Sequence, residues 1–268
     1  GHAWGWPVAR GGSQSIADAL ASVITSSGGR IETGRLIRSI DELPAGEPVV
    51  FDTSPAGVVG LAGHRMPEGV RKAFQRYEYG PAAFKLDLAV EDGIPWESEA
   101  ARKAGTVHVI GSFEELVISE HETNAGRMPE RPFILVGQQY LADPSRSNGN
   151  LHPVWAYAHV PNGFTGDATE AMVSQIERFA PGFRDRIRGE TAMYPEDFAQ
   201  YNANYVGGDI VAGANTPRQM VFRPRVTLNP YKVTEGIWIC SAATPPGGGV
   251  HGMGGANAAR SILRTLGS

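Results

Sequence analysis

Ile237-Trp238-Ile239-Cys240-Ser241-Ala242-Ala243-Thr244-Pro245-Pro246-Gly247-Gly248-Gly249-Val250-His251-Gly252-Met253-Gly254-Gly255 is the stretch that decides the fold. A short apolar strand empties through a glycine-rich loop into a final helix, expected over about residues 256–266. Six of the nine residues from Gly247 to Gly255 are glycine. Lacking Cβ atoms, such a loop lets a flat or anionic group reach the main chain. The helix start behind it offers unpaired N–H groups. The same composition also suits a plain turn before a terminal helix. Gly247, Gly249 and Gly252 spell G-x-G-x-x-G, but the context differs. That fingerprint opens a βαβ unit with an acidic residue about 20 positions on. Only sixteen residues follow Gly252, and none is Asp or Glu. The loop is therefore expected to touch a ligand without forming a nucleotide-binding half by itself.

The other end of the sequence has a matching texture. Trp6-Pro7-Val8-Ala9-Arg10-Gly11-Gly12-Ser13 leads into a helix. Ser15 and Asp18 have capping-box spacing. Ile16, Leu20, Val23 and Ile24 form one apolar stripe, and Gly28-Gly29 stops the helix. Short strands are expected at residues 31–33 and 36–40, and a buried one at 49–52.

In the middle, Phe84, Leu86, Leu88 and Val90 alternate with Lys85, Asp87 and Ala89, which predicts a strand with one wet face. Further strands are expected at 107–110, 133–136 and 154–160. Ser112 and Glu115 cap a helix carrying Phe113, Leu116 and Val117. Asp167 and Glu170 open an amphipathic helix with Met172, Val173, Ile176 and Phe179. Residues 193–219 are rich in Gly and Asn and receive no element. The expected fold is mixed α/β. One α/β domain (1–57 and 236–268) is split in sequence, and a second, mostly antiparallel domain (58–235) is inserted.

Composition narrows the function. The 268 residues are 41% hydrophobic and 19% charged, as in globular chains. A net charge of −4 and no Lys/Arg run longer than two argue against nucleic acid. No apolar run approaches the roughly 18 residues of a membrane span, and no secretory leader is visible. The single cysteine, Cys240, excludes internal disulfides and reads as an inert core residue. A reducing cytoplasm is the expected setting.

Seven histidines raise a metal site. His152 and His159 sit seven apart on an expected strand and so face opposite sides. His108 and His121 lack an H-x-H or H-x-x-x-H partner. No metal is expected. Gly11-Gly12-Ser13-Gln14-Ser15 is not the G-x-S-x-G elbow of a serine hydrolase; Ser13 and Ser15 read as capping residues. Trp155, Tyr157, Phe164 and Tyr140 can wall an apolar pocket or serve the core. Tyr231, after Arg223 and Arg225, reads as a substrate-facing residue or as a core tyrosine behind solvated arginines.

Several of these stretches together resemble a known family. They are Gly5 to Ser13 with Gly28-Gly29-Arg30-Ile31, Tyr79-Gly80-Pro81-Ala82-Ala83-Phe84-Lys85, Ala180-Pro181-Gly182-Phe183, and Pro246 to Gly255 with Ala258-Ala259. All resemble phytoene-desaturase-like FAD-dependent oxidoreductases of the amine-oxidase-like flavoprotein superfamily. Within it the likeness is greatest to the branch related to pyridine nucleotide-disulfide oxidoreductase domain-containing protein 2. The resemblance covers nearly the whole sequence but begins where roughly the second half of such a protein begins. The N-terminal G-x-G-x-x-G segment that binds the ADP part of FAD is not present. A C-terminal fragment, inactive alone, is the expectation.

The resemblance implies roles for what remains. Gly11 and Gly12 would approach the flavin, and Leu36 and Ile37 the adenine. Gly247, Gly248, Gly249, Val250, His251, Gly252 and Met253 would face the pyrophosphate and flavin. The parent would move a hydride, or two electrons, from an apolar substrate to FAD. His251 and Tyr231 are the candidates for catalysis. The alternative is a non-enzymatic binding or assembly module that keeps the substrate-domain fold. Missing strands would leave a sheet edge and apolar faces uncovered, which predicts self-association, most simply a homodimer.

Overall fold

The computed structural model describes residues 5 and 7–267; Trp6 of the N-terminal motif lies outside them. In chain order the elements are α1 (Gln14–Ser26), β1 (Val49–Phe51), α2 (Pro55–Ala62), α3 (Glu68–Gln75), β2 (Ala82–Glu91), α4 (Glu99–Lys103), β3 (Thr106–Val109), α5 (Phe113–Asn124), β4 (Ile134–Gly137), β5 (Leu151–Val160), α6 (Thr169–Glu177), β6 (Ile187–Met193), α7 (Pro195–Tyr201), α8 (Pro217–Val221), β7 (Lys232–Thr234), β8 (Ile237–Ile239) and α9 (Met253–Leu266). The fold is mixed α/β. It divides into two compact units, each made of three segments. The first comprises residues 1–35, 84–160 and 166–193; the second comprises 36–83, 161–165 and 194–268.

In the first unit the strands lie in the order β3-β4-β5-β2-β6. The pairs β3/β4, β4/β5 and β2/β6 are antiparallel. The alternation in β2 builds the core. Phe84, Leu86, Leu88 and Val90 are buried, as are Val154, Ala156, Ala158 and Val160 of β5 and Met172, Val173 and Ile176 of α6. Buried Trp96 donates its indole N–H to Gln138 Oε1 at 3.0 Å. The Gln138 amide in turn donates to the carbonyls of Ala101 and Ala104. This deep amide is therefore satisfied, as burial requires. Ser112 caps α5 as expected, its Oγ accepting from Glu115 N at 3.2 Å. The Glu115 carboxylate instead accepts from Gly111 N.

Helix α1 stops as its glycines predict. Gly28 takes φ +85°, Gly28 N–H reaches Thr25 O and Gly29 N–H reaches Ile24 O, a Schellman ending. Its start differs from the expected capping box. Ser15 Oγ donates to Gly12 O, and Asp18 accepts from Gln14 instead. No residue of α1 is buried, so its apolar stripe is exposed.

In the second unit β8 is the central strand of a three-stranded sheet, parallel to β1 and antiparallel to β7. Phe51, Val58, Ala62, Phe74, Val233, Ile237 and Ile239 share its core. Ser54 caps α2, accepting from Gly57 N at 3.1 Å, with Pro55 at the first helical position. Residues 31–33 and 36–39 form no strand. Gly34 turns the backbone at φ +73°. The Glu42 carboxylate then takes the N–H groups of Arg38 and Ser39, diverting the chain into a 3-10 turn at Ile40.

Candidate functional site

The site is built outward from β8. Cys240 N–H continues the pairing to Phe51 O at 2.9 Å. The chain then folds on itself: Ser241 O accepts from both the N–H and the hydroxyl of Thr244, and Thr244 O accepts from Gly247 N. Ala243 and Thr244 are fully buried, so the base of the loop is packed into the unit. Beyond it, residues 248–253 are exposed, Val250 at 96%. Gly247, Gly249 and Gly252 take φ of +104°, +150° and +62°, backbone that a side chain would strain. The N–H groups of Gly248, Gly249, Val250, His251 and Gly252 find no acceptor among the described residues. Nor does the first turn of α9 contain an acidic residue. A run of unsatisfied donors at a helix start is a place for negative charge.

Beneath the loop lies Arg223, which the sequence reads most readily as solvated. It is only 4% exposed. Its guanidinium donates to Gln219 O, Ala242 O and Asn215 Oδ1, and a Cβ on Gly247 would stand 3.1 Å from its Nη1. All three acceptors are neutral, so the positive charge is not cancelled by direct contact. A buried cation of this kind raises the potential of whatever rests on it.

Two further residues fix the loop. Tyr231 donates its hydroxyl to Pro245 O at 3.0 Å and accepts from Asn257 Nδ2 of α9 at 3.0 Å. His251 Nδ1 accepts from Met253 N at 3.0 Å, capping α9 from an exposed position. Cys240 is half-buried; burial first, then the Asp52 carboxylate, push its thiol up to about 11. It is not a thiolate nucleophile.

The segment 209–213 supplies a hub that the sequence does not reveal. The buried Asp209 carboxylate accepts from four backbone N–H groups: Gly80, Val211, Ala212 and Gly213.

The remaining candidates are placed as follows. Gly11 and Gly12 belong to the first unit, with φ of +77° and +120°. Gly11 N–H donates to Asp143 Oδ2 at 2.9 Å, and Arg146 joins Asp143 to Ala9 O. The Ser145 hydroxyl, then the Gly11 amide, then Arg146 hold the Asp143 carboxyl down at about 2. Leu36 and Ile37 belong to the second unit; Leu36 is exposed and Ile37 half-buried. Trp155, Tyr157 and His159 form a half-buried row on one side of β5, Trp155 and Tyr157 stacked within 2° of parallel. Glu120 Oε1 lies 2.7 Å from His159 Nδ1. Tyr140 stacks on His152 instead, and Phe164 lies in the other unit. Among the described residues no three His, Cys, Asp or Glu side chains gather to hold a metal ion. No helix among them is long and apolar enough to cross a membrane.

No protein-family model matches the chain. Over 97% of its length it is 24% identical to pyridine nucleotide-disulfide oxidoreductase domain-containing protein 2 of Rattus norvegicus, covering 52% of that protein. It is 25% identical, over 90% of its length, to the neurosporene-forming phytoene desaturase of Rhodobacter capsulatus, covering 50% of it. In structure, 95% of the chain superposes on 55% of an oxidoreductase from Methanosarcina mazei, with a TM-score of 0.57 at 16% identity. The chain thus spans about half the length of the curated relatives it matches. Its likeness along nearly its whole length is to proteins named as oxidoreductases and to a phytoene desaturase.

Proposed function

We propose that this chain is the C-terminal portion of an FAD-dependent, phytoene-dehydrogenase-like oxidoreductase. The observation that carries the reading is the exposed, donor-rich loop after β8, backed by the buried guanidinium of Arg223. Unpaired N–H groups, a helix start and a cation below suit a pyrophosphate or the electron-rich edge of a reduced flavin. Residues 247–253 would hold that part of FAD, with Leu36 and Ile37 of the same unit toward the adenine; Gly11 and Gly12 are proposed separately, as backbone that a flavin can approach. Tyr231 and His251 hold the loop in shape. By role, residues 1–57 and 236–268 are the remnant of the cofactor domain and 58–235 the substrate domain. This division does not follow the boundaries of the compact units.

FAD, when held by residues 247–253, would supply the redox chemistry as acceptor of a hydride or two electrons. The chain's own part is to bind and orient. The half-buried row of Trp155 and Tyr157 supports an apolar substrate. The G-x-G-x-x-G half is the partner this reading requires, so the chain alone binds FAD weakly and turns nothing over.

Titrating FAD with the protein while following flavin fluorescence tests this. We expect weak, saturable binding that desalting removes and that Gly249→Val abolishes. Binding untouched by Gly249→Val would put the cofactor elsewhere and sink the assignment.

A further inference from the structure

In the second unit, α3 and residues 216–226 border a groove of about 870 Å³, a size that suits a small organic ligand. Part of its lining is apolar: Val70, Ala73 and Phe222. The charged part is one-sided. Lys72, Arg76, Arg218 and Arg225 line it against a single carboxylate, Glu78, in a chain whose net charge is −4. Lys72 is engaged by Glu68, whereas Arg76 and Arg218 form no ion pair among the described residues. Arg225 donates from Nη2 to Lys232 O, which fixes its guanidinium at the groove wall. Arginine forks match carboxylate and phosphate oxygens.

We propose that this groove binds an amphipathic anion, an apolar chain lying on Val70, Ala73 and Phe222 with its carboxylate or phosphate head on Arg76, Arg218 and Arg225. The site needs no flavin and does not depend on the reading of the glycine loop.

The test is isothermal titration of the whole chain with monomeric dodecanoate, dodecyl phosphate and dodecanol. We expect one saturable site for at least one of the two anions, the tighter anion identifying the head group. Dodecanol should bind at least about tenfold more weakly, the equivalent of one lost charge-assisted hydrogen bond. The exposed double variant Arg76→Gln/Arg218→Gln should weaken the anion about tenfold or more. Ala73→Trp should block it by filling the groove, and Arg188→Gln in the first unit should change nothing. Equal affinity for dodecanol, indifference to the double variant, or binding to anionic vesicles without binding of either monomer would each overturn the proposal.

Discussion

The backbone of Gly254 lies so close to Cys240 that a Cβ at residue 254 would stand 2.3 Å from the Cys240 carbonyl oxygen. The first turn of α9 is thereby pressed onto the end of β8. Two opposing effects can be separated here. Alanine in a helix is favoured over glycine by up to about 1 kcal/mol, but the overlap at residue 254 is with rigid backbone. Gly254→Ala should therefore lose about 1–3 kcal/mol. Gly255→Ala, with nothing within 4 Å of its Cβ position, should be neutral or gain up to about 1 kcal/mol. Urea denaturation of both variants decides it; equal shifts would mean that the close approach is not maintained.

Asp209 should be the most sensitive polar residue in the second unit. Its removal strands four backbone donors in a buried turn. Asp209→Ala is expected to cost at least about 3 kcal/mol, measured as a fall in the denaturation midpoint. Asp209→Asn should recover only part of this, because the amide nitrogen cannot accept. A loss below about 1 kcal/mol for the alanine variant would show the turn to be self-supporting.

Tyr231→Phe removes one hydroxyl that both donates to Pro245 O and accepts from Asn257. The expected cost is about 1–2 kcal/mol, with weaker FAD binding by the loop. Unchanged stability alongside lost FAD binding would instead favour direct contact between this hydroxyl and the cofactor.

The link between Asp143 and Gly11 should be acid-sensitive. The carboxyl titrates at about 2 in the folded chain and at about 3.9 when unfolded. The depressed value means that its stabilisation is fully present above about pH 4 and is lost as pH falls through about 2. The difference in stability between wild type and Asp143→Asn should therefore shrink across that window. A pH-independent difference would contradict the assignment.

The stripe of Ile16, Leu20, Val23 and Ile24 on α1 is between 47% and 62% exposed. Covering it would remove apolar surface from water. We expect a dimer by light scattering and a monomer for Leu20→Glu/Val23→Glu. A wild-type monomer at micromolar concentration would dispose of this expectation.

What could be read from the sequence was local. The period-2 pattern of β2, the Ser112 cap of α5, the double-glycine stop of α1 and the glycine-rich run after β8 each lie within a few residues, where periodicity and capping operate. The misread stretch at residues 31–40 was also local, but β-branched residues there lacked a partner strand, and the Ser39–Glu42 capping interaction won. What escaped was the set of buried charges. Asp143 meets Gly11 across 132 positions, and Asp209 meets Gly80 across 129; neither pairing leaves a periodic trace. Arg223 shows the same limit, because only the folded chain reveals that an arginine beside a proline is enclosed by carbonyls.

The parallel pairing of Val50 with Trp238 has a consequence for synthesis. β1 is translated 188 positions before β8 (Val49 pairs with Ile237), the strand that completes its hydrogen bonding among the described residues. Helices α2 and α3 form beside a strand that must wait, its apolar residues unpaired, while the residues between β1 and β8 are made. Such a sheet closes late and against a large loop entropy, so the nascent chain is the stage at which this protein most needs a chaperone.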